Sequence, residues 1–599
     1  MTIADSLTLL NTTKNAIKTA IEAKGVTVGS VPFSQYATKI GNISTGGGGG
    51  GTPASLEWTQ DYYDAVYAAG PGSWYRPEWR ALPSTLTSSQ ILIGLYAIHP
   101  DNSNFCSVLA TGDYTVDWGD GVVENITSEY QADHTYDYSN VVLDGTDAPV
   151  TFSSADSVIT RNSHGFQNGN LVSFWNISSS PEILEGTKYY VISATNNTFK
   201  ISSSLNGSAI TLTTSGSATL SRFKQAIVTV TAQAGSTVTS VSLNAKHPSQ
   251  PSTTYVVGWL DVIVGNPSLA FMGIGPMGPS TVNHKNLLER IRITDLGTVT
   301  SLAYGFLDLK NLKVMEFPAG TNSVTDLSNA FNTCINLRTI TLLDTSNVTS
   351  MVGTFSSCSN LETIPLLDTS SVTSANSLFS NCQNLKKIPA LDLSNITTSN
   401  GLFTGCNSLE YVPALNLSSS TTISTMFNGC FNLSEITLTN LSNVTDASSA
   451  FYNCDNLKSA SISGTTSLLT TVATMFYNCY RLETVSLFNT VGVTNFTQMF
   501  YNCYRLKSIP PFNTAAVSGI NMVGMFYGCA SFESIPLLNT TNITSMSTMF
   551  QNCYSLQDIP LLDTAKVTTF ANAFNGCHNL QNIPALSLLA AGTFTTTFS

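Results

Sequence analysis

From Ser301 to Ser599 the apolar positions recur with a fixed period. Phe-x-x-Cys appears at Phe331/Cys334, Phe355/Cys358, Phe379/Cys382, Phe403/Cys406, Phe427/Cys430 and Phe451/Cys454. It continues at Phe476/Cys479, Phe500/Cys503, Phe526/Cys529, Phe550/Cys553 and Phe574/Cys577. The cysteines stand 24 residues apart, with single steps of 25 (Cys454 to Cys479) and 26 (Cys503 to Cys529). A period in the twenties predicts a solenoid whose turns bury a core only by stacking. In the turn from Asn360 to Gln383, Leu361, Ile364 and Leu366 are expected inward, and Asp368-Thr369-Ser370 supplies turn chemistry. Val372 then restarts an extended piece, and Leu378 and Phe379 close a short helical or irregular segment before Cys382.

A polar column runs beside this core. It reads Lys313, Arg338, Glu362, Lys386, Glu410, Ser434, Lys458, Glu483, Lys507, Glu533, Gln557 and Gln581. The alternating sign predicts charge pairs between turns stacked about 4.8 Å apart. Exposed pairs are worth only about 0.2–1 kcal/mol each, so the column speaks to register rather than to stability. Phe306 and Leu309 stand where Phe and Cys are expected, which makes the first turn degenerate. Phe598 falls 24 residues after Phe574, so the last turn is incomplete and a contact with another subunit or a sister protein is expected to cover it.

Upstream the pattern changes. Residues 4–24 read as an amphipathic helix capped by Asp5 or Ser6, with Leu7, Leu10, Ile17, Ala20 and Ile21 on one face and Gly25 ending it. The glycine run within Thr45–Gly51 is a flexible tether. Residues 55–100 carry Trp58, Tyr62, Tyr63, Trp74, Tyr75 and Trp79, expected to pack this connector onto the next domain. Short alternating strands follow from residue 101 to about 265. The expected divisions are 1–44, 45–54, 55–100, 101–148, 149–222, 223–265 and 266–599.

Three resemblances attach to these motifs. The Asn-Leu-x-x-Ile-Pro-x-Leu-Asp-Thr-Ser-x-Val-Thr pattern with Phe-x-x-Cys resembles BspA-type leucine-rich repeats and related mycoplasma surface-protein repeats, which implies a surface adhesin. The segment TTKNAIKTAIEAKGVTVGSVPFSQYATKIGNI resembles the N-terminal segment of many tailed-phage tail and fibre proteins, which implies attachment to a virion. Tyr114-Thr-Val-Asp-Trp-Gly-Asp-Gly121 with His134-Thr-Tyr136 resembles the PKD-type β-sandwich, whose later strand is expected at Lys224–Thr231. The interval between is similar to small β-domains inserted in phage structural proteins. The expected fold is therefore mainly β: an N-terminal helical anchor, a split PKD-like sandwich with an inserted β-module, and a leucine-rich-type solenoid of 24-residue repeats.

Composition narrows the function. Only 10% of the 599 residues are charged and the net charge is −12, with no basic stripe, which argues against nucleic acid as partner. Eleven of the twelve cysteines fill one repeat column, so they read as reduced, buried small hydrophobes rather than a disulfide or zinc framework. No basic region followed by an apolar run opens the chain, and no eighteen-residue apolar stretch occurs. No cofactor and no enzymatic activity are expected. Asp344, Asp368 and Asp392 would stack like glycosidase carboxylates, but Asn416, Asn489, Asn513 and Asn539 share their column, which favours a turn role. Asp120 and His134 read as structural members of their turn and strand.

The candidate ligand-binding residues are Tyr452, Tyr477, Tyr480, Arg481, Tyr501, Tyr504, Arg505, Tyr527 and Tyr554, which gather around the later cysteines and would form a Tyr/Arg stripe. The expected role is a tail fibre or similar phage appendage that recognises a host surface glycan or protein. Its other expected partners are virion proteins at the N-terminal segment and further copies of itself, with a trimer as one form. The alternatives are an architectural neck or head decoration protein and, more remotely, a cellular adhesin.

Overall fold

The computed structural model describes residues 82–98, 105–127, 131–136, 148–162, 168, 171–175, 177–184, 189–203, 207–221, 224–243, 258–274, 287–320, 322–341, 343–464, 466–486, 489–512, 520–536, 538–584, 586 and 595–597. The expected helix over 4–24, the glycine tether, the aromatic residues Trp58 to Trp79, and Phe598 lie outside the described residues. Among those described, regular structure is entirely β.

The first strands are β1 (Gln90–Ile98), β2 (Phe105–Thr111), β3 (Tyr114–Asp117), β4 (Val123–Ile126) and β5 (Gln131–Thr135). Then come β6 (Ala148–Ser153), β7 (Val158–Thr160), β8 (Leu171–Trp175), β9 (Tyr189–Ile192), β10 (Thr198–Ser202) and β11 (Gly216–Ser221). These six close into a barrel of order β10-β7-β6-β11-β8-β9. Its interior holds Val150, Phe152, Ile159, Phe174, Val191, Phe199 and Leu220, each buried. This core is separate from the main one, so the barrel is a unit inserted between β5 and the strand that follows.

That strand is β12 (Lys224–Ala232), followed by β13 (Ser240–Ser242), β14 (Trp259–Gly265), β15 (Phe271–Gly273), β16 (Arg290–Asp295), β17 (Val314–Glu316) and β18 (Thr339–Ile340). A four-stranded sheet of order β15-β13-β2-β5 shares its core with an eight-stranded sheet of order β18-β17-β16-β14-β1-β12-β3-β4. β14 pairs antiparallel with β1 on one side and parallel with β16 on the other. The antiparallel layer therefore becomes the parallel wall of the solenoid without a break. The first turn, degenerate in sequence, is joined to this unit where the Ile274 N–H donates to the Gly305 carbonyl at 3.0 Å, and on its other side Phe306 stacks on Phe331 at 5.1 Å; Leu309 is fully buried. β14 is buried along its whole length, as a strand covered on both faces should be. Gly94 of β1 is fixed by contact, because a Cβ there would lie 2.2 Å from the Trp259 ring.

Within the solenoid each Phe stacks on its counterpart one turn away, at ring distances of 5.1 to 5.7 Å. Each Cys Sγ donates to the carbonyl of the Phe one turn back, as Cys358 to Phe331 at 3.1 Å. Two left-handed residues flank each Phe, for example Asn329 (φ 54°) and Thr333 (φ 64°), or Ser377 (φ 56°) and Asn381 (φ 59°). They fold the segment before each Cys into consecutive tight turns. The helical alternative is thereby removed, since single αL residues interrupt a right-handed helix.

Two expectations change at this level. Leu367, not Leu366, is the buried position in its turn, with Leu366 half-buried. Residues 359–370 form no regular strand, so no two-residue period fixes which of the adjacent leucines turns inward. The charged column is in register, with Glu410 N–H donating to the Lys386 carbonyl at 2.9 Å and Glu483 to Lys458 at 2.9 Å. Yet among the described residues no two of its named members pair with each other: Lys313 meets Glu289 at 2.9 Å and Glu483 meets Arg505 at 3.8 Å, because long exposed side chains gain little by being held together. Regular strands also occur in only some turns. A second parallel group is β19 (Leu415–Asn416), β20 (Glu435–Thr439), β21 (Ser459–Ile462) and β22 (Thr484–Val485). Elsewhere single bridges such as Ser350 with Ser374 join neighbouring turns.

Candidate recognition surface

The repeat places tyrosine at two positions beside the Phe/Cys core. The residue after Phe gives Tyr452, Tyr477, Tyr501 and Tyr527, and their rings form a continuous stack with centroid distances of 4.7, 4.6 and 4.2 Å. The residue after Cys gives Tyr480 and Tyr504, stacked at 5.2 Å, then Ala530, then Tyr554 stacked on His578 at 5.8 Å. All seven candidate tyrosines thus stand in two ordered columns on one flank. His578 belongs to the second column and was not singled out from sequence, although it occupies the same position after its Cys.

Face-to-face stacking decides what the surface can present. Inside the first column each ring covers its neighbours' faces, so ring edges and phenol oxygens remain for a ligand. Burial, followed by Tyr527, pushes the Tyr501 phenol up to about 12. Tyr477 and Tyr480 are raised by the same desolvation. These phenols therefore stay protonated and offer neutral hydroxyls. Asn552 Nδ2 donates to the Tyr527 hydroxyl at 3.3 Å, tying that ring to the next turn.

Arg481 and Arg505 follow Tyr480 and Tyr504 and are exposed. In earlier turns their position is an asparagine ladder, with Asn360 donating to Asn336 at 3.0 Å and Asn384 to Asn360 at 3.1 Å. Arg505 approaches Glu483 at 3.8 Å, with both side chains more than half exposed. That contact leaves the guanidinium largely available to solvent.

The aspartate column has a different task. Asp344, Asp368 and Asp392 each accept the backbone N–H two residues on, at 3.0, 3.0 and 2.9 Å. Asn416, Asn489 and Asn539 accept the same bond in their turns. The Ser370 hydroxyl and amide also hold the Asp368 carboxyl below its ordinary range. In the two-sheet unit, His134 bonds Asp120 at 2.7 Å and stacks on Trp118 at 5.1 Å, while the Tyr136 hydroxyl donates to the Trp118 carbonyl at 2.7 Å. These groups close a turn over the core. All twelve cysteines are free, and burial raises the thiols of the column. Among the described residues no group of three His, Cys, Asp or Glu is placed to hold a metal ion, and no helix is long and apolar enough to cross a membrane.

The architecture defines the C-terminal half as a leucine-rich-type β-solenoid. A family model described as "Mycoplasma protein of unknown function, DUF285" matches it at 300–416, 378–485, 421–537 and 470–586, together just under half of the chain. No curated protein matches by sequence. Among solved structures, a leucine-rich repeat protein from Eubacterium ventriosum is 14% identical, covering 56% of this chain and 90% of its own, with a TM-score of 0.27. An internalin from Listeria monocytogenes is 14% identical over 54% of this chain and 85% of its own, with a TM-score of 0.20.

Proposed function

We propose that this chain is a non-enzymatic recognition protein of a tailed-phage virion, a tail fibre or similar appendage whose solenoid engages a bacterial surface. The observation that carries the recognition role is the pair of tyrosine columns. A repeat otherwise faced with Ser, Thr and Asn places seven tyrosines and two arginines on one flank of its later turns. Tyr and Arg are the residue types that concentrate binding energy when a partner covers them. The N-terminal segment's resemblance to phage tail proteins supports the virion assignment, and the likeness to BspA-type repeats supports a surface-directed one. The Trp118 turn and His134 strand would make the two-sheet unit a PKD-type spacer. The N-terminal segment would then hold virion proteins and further copies of the chain.

The test is binding of the labelled full-length protein to a panel of bacterial strains, scored beside a variant carrying Tyr477→Ala, Tyr480→Ala, Tyr501→Ala and Tyr504→Ala. Saturable binding to some strains, lost in the variant while its circular dichroism is retained, is the expected result. Equal binding by the variant would remove the flank from the recognition role.

A further inference from the structure

The second tyrosine column is interrupted at one turn only. Tyr504 has one face on Tyr480, and Tyr554 has one face on His578. Their other faces look toward the turn between them, where the column position is Ala530. The backbone does not collapse there: Ser531 N–H donates to the Tyr504 carbonyl and Ser555 N–H to the Ala530 carbonyl, both at 3.0 Å. The Phe column beneath keeps its spacing through the same turns, with ring steps of 5.7 and 5.5 Å. Tyr504 and Tyr554 are accordingly 45% and 47% exposed, while Tyr480, whose other neighbour in the column is Asp455 rather than alanine, is less so. The result is a slot one ring layer wide, walled by two tyrosine faces and floored by a methyl group.

We propose that this slot is a carbohydrate subsite that takes one neutral pyranose unit of a surface glycan; the proposal rests on the recognition role argued above. The two walls are two turns apart, roughly 10 Å at strand spacing. A flat aromatic ring in mid-slot would lie about 5 Å from each wall, the loose spacing of the tyrosine column itself. A chair pyranose is thicker, because its axial C–H bonds project from the mean ring plane, and it reaches both tyrosine faces at once. Its equatorial hydroxyls would emerge at the rim, where Ser531, Ser555 and Arg505 offer hydrogen-bonding groups. At this rim Arg505 and Glu483 stand 3.8 Å apart, both exposed and opposite in charge, so the rim carries no net positive charge for an anion, which favours a neutral sugar over an acidic one.

The full-length protein is titrated by calorimetry and saturation-transfer NMR with maltoheptaose, chitohexaose and mannan oligosaccharides, and its cell binding is compared after periodate and after protease treatment of the cells. Ala530→Tyr completes the column with the residue that neighbouring turns already carry there, so the fold is expected to tolerate it. Tyr554→Ala, which removes one wall, serves if that variant does not fold. The expected result is binding of at least one oligosaccharide, weakened at least about tenfold by either variant, and cell binding abolished by periodate. Unchanged oligosaccharide affinity in both variants would overturn the slot while leaving surface recognition standing. Wild-type protein that binds cells but none of the sugars, with binding lost to protease and not to periodate, would overturn the glycan in favour of a protein side chain. Absence of binding to every strain would instead remove the recognition role itself.

Discussion

The Cys358 thiol donates to the Phe331 carbonyl one turn back, at 3.1 Å, and that carbonyl also receives the Cys334 amide at 3.0 Å. The same arrangement recurs down the column. A small side chain is needed beside stacked rings, and sulfur supplies both bulk and a weak donor. Because the carbonyl keeps its amide partner, Cys358→Ala should lose mainly packing, about 1–2 kcal/mol. Cys358→Leu should overpack the stack and cost more, about 1–3 kcal/mol beyond its neighbours' tolerance. Thermal unfolding of the two variants checks the order; equal melting temperatures would show that the column is loosely packed.

Burial holds these thiols neutral, with Cys406 pushed up to about 12 from an ordinary 9.0. The sign follows from the unfolded chain, whose thiols lose protons from about pH 9 while the folded ones do not. The unfolded state then binds fewer protons, so stability is full below pH 9 and falls as pH rises above it. Each buried thiol contributes at most about 1.4 kcal/mol per pH unit. Urea midpoints measured between pH 7 and 11 should be flat to about 9 and then drop steeply. A flat profile to pH 11 would contradict the burial of the column.

Thiol accessibility gives an independent readout. Cys577 is the only half-buried member of the column, and burial pushes it up to about 11 rather than further. A disulfide reagent at pH 8 should label the native protein slowly at Cys577 alone and label all twelve thiols once it is denatured. Rapid native labelling of several cysteines would mean that turns open locally.

The junction between sheet and solenoid carries a buried carboxylate. Asp261, 3% exposed, meets Arg290 at 2.6 Å and Arg292 at 3.2 Å across β14 and β16. Asp261→Ala removes the carboxylate that two confined guanidinium groups share, leaving Glu316 as the acidic group facing both, and should cost about 3 kcal/mol. A loss below about 1 kcal/mol by chemical denaturation would show that water replaces the carboxylate.

Gly94 is a steric requirement rather than a flexible one. An alanine methyl would enter the Trp259 ring space, so Gly94→Ala should separate β1 from β14 and lower stability by roughly 1–3 kcal/mol. Near-ultraviolet circular dichroism would register the displaced indole. An unchanged tryptophan signal would show that the ring has another place to go.

The period of the chain by itself determined the solenoid, the inward Phe and Cys columns and the turn role of the Asp/Asn column. Those features depend on local chemistry repeated every 24 residues, and stacking adds the same contact each time. It also placed the candidate tyrosines on two positions of the repeat. What the rings expose was decided by the tertiary structure: stacking at 4.2 to 4.7 Å covers faces in one column, and a single alanine frees two faces in the other. The charged column was legible in register, but the charge pairs its alternation predicts do not form between its members among the described residues, because solvent screens exposed pairs and no packing forces them together. Least visible was the shared sheet. β14 reads as one apolar strand, and only its neighbours in space, β1 running against it and β16 running with it, make it the joint between two architectures.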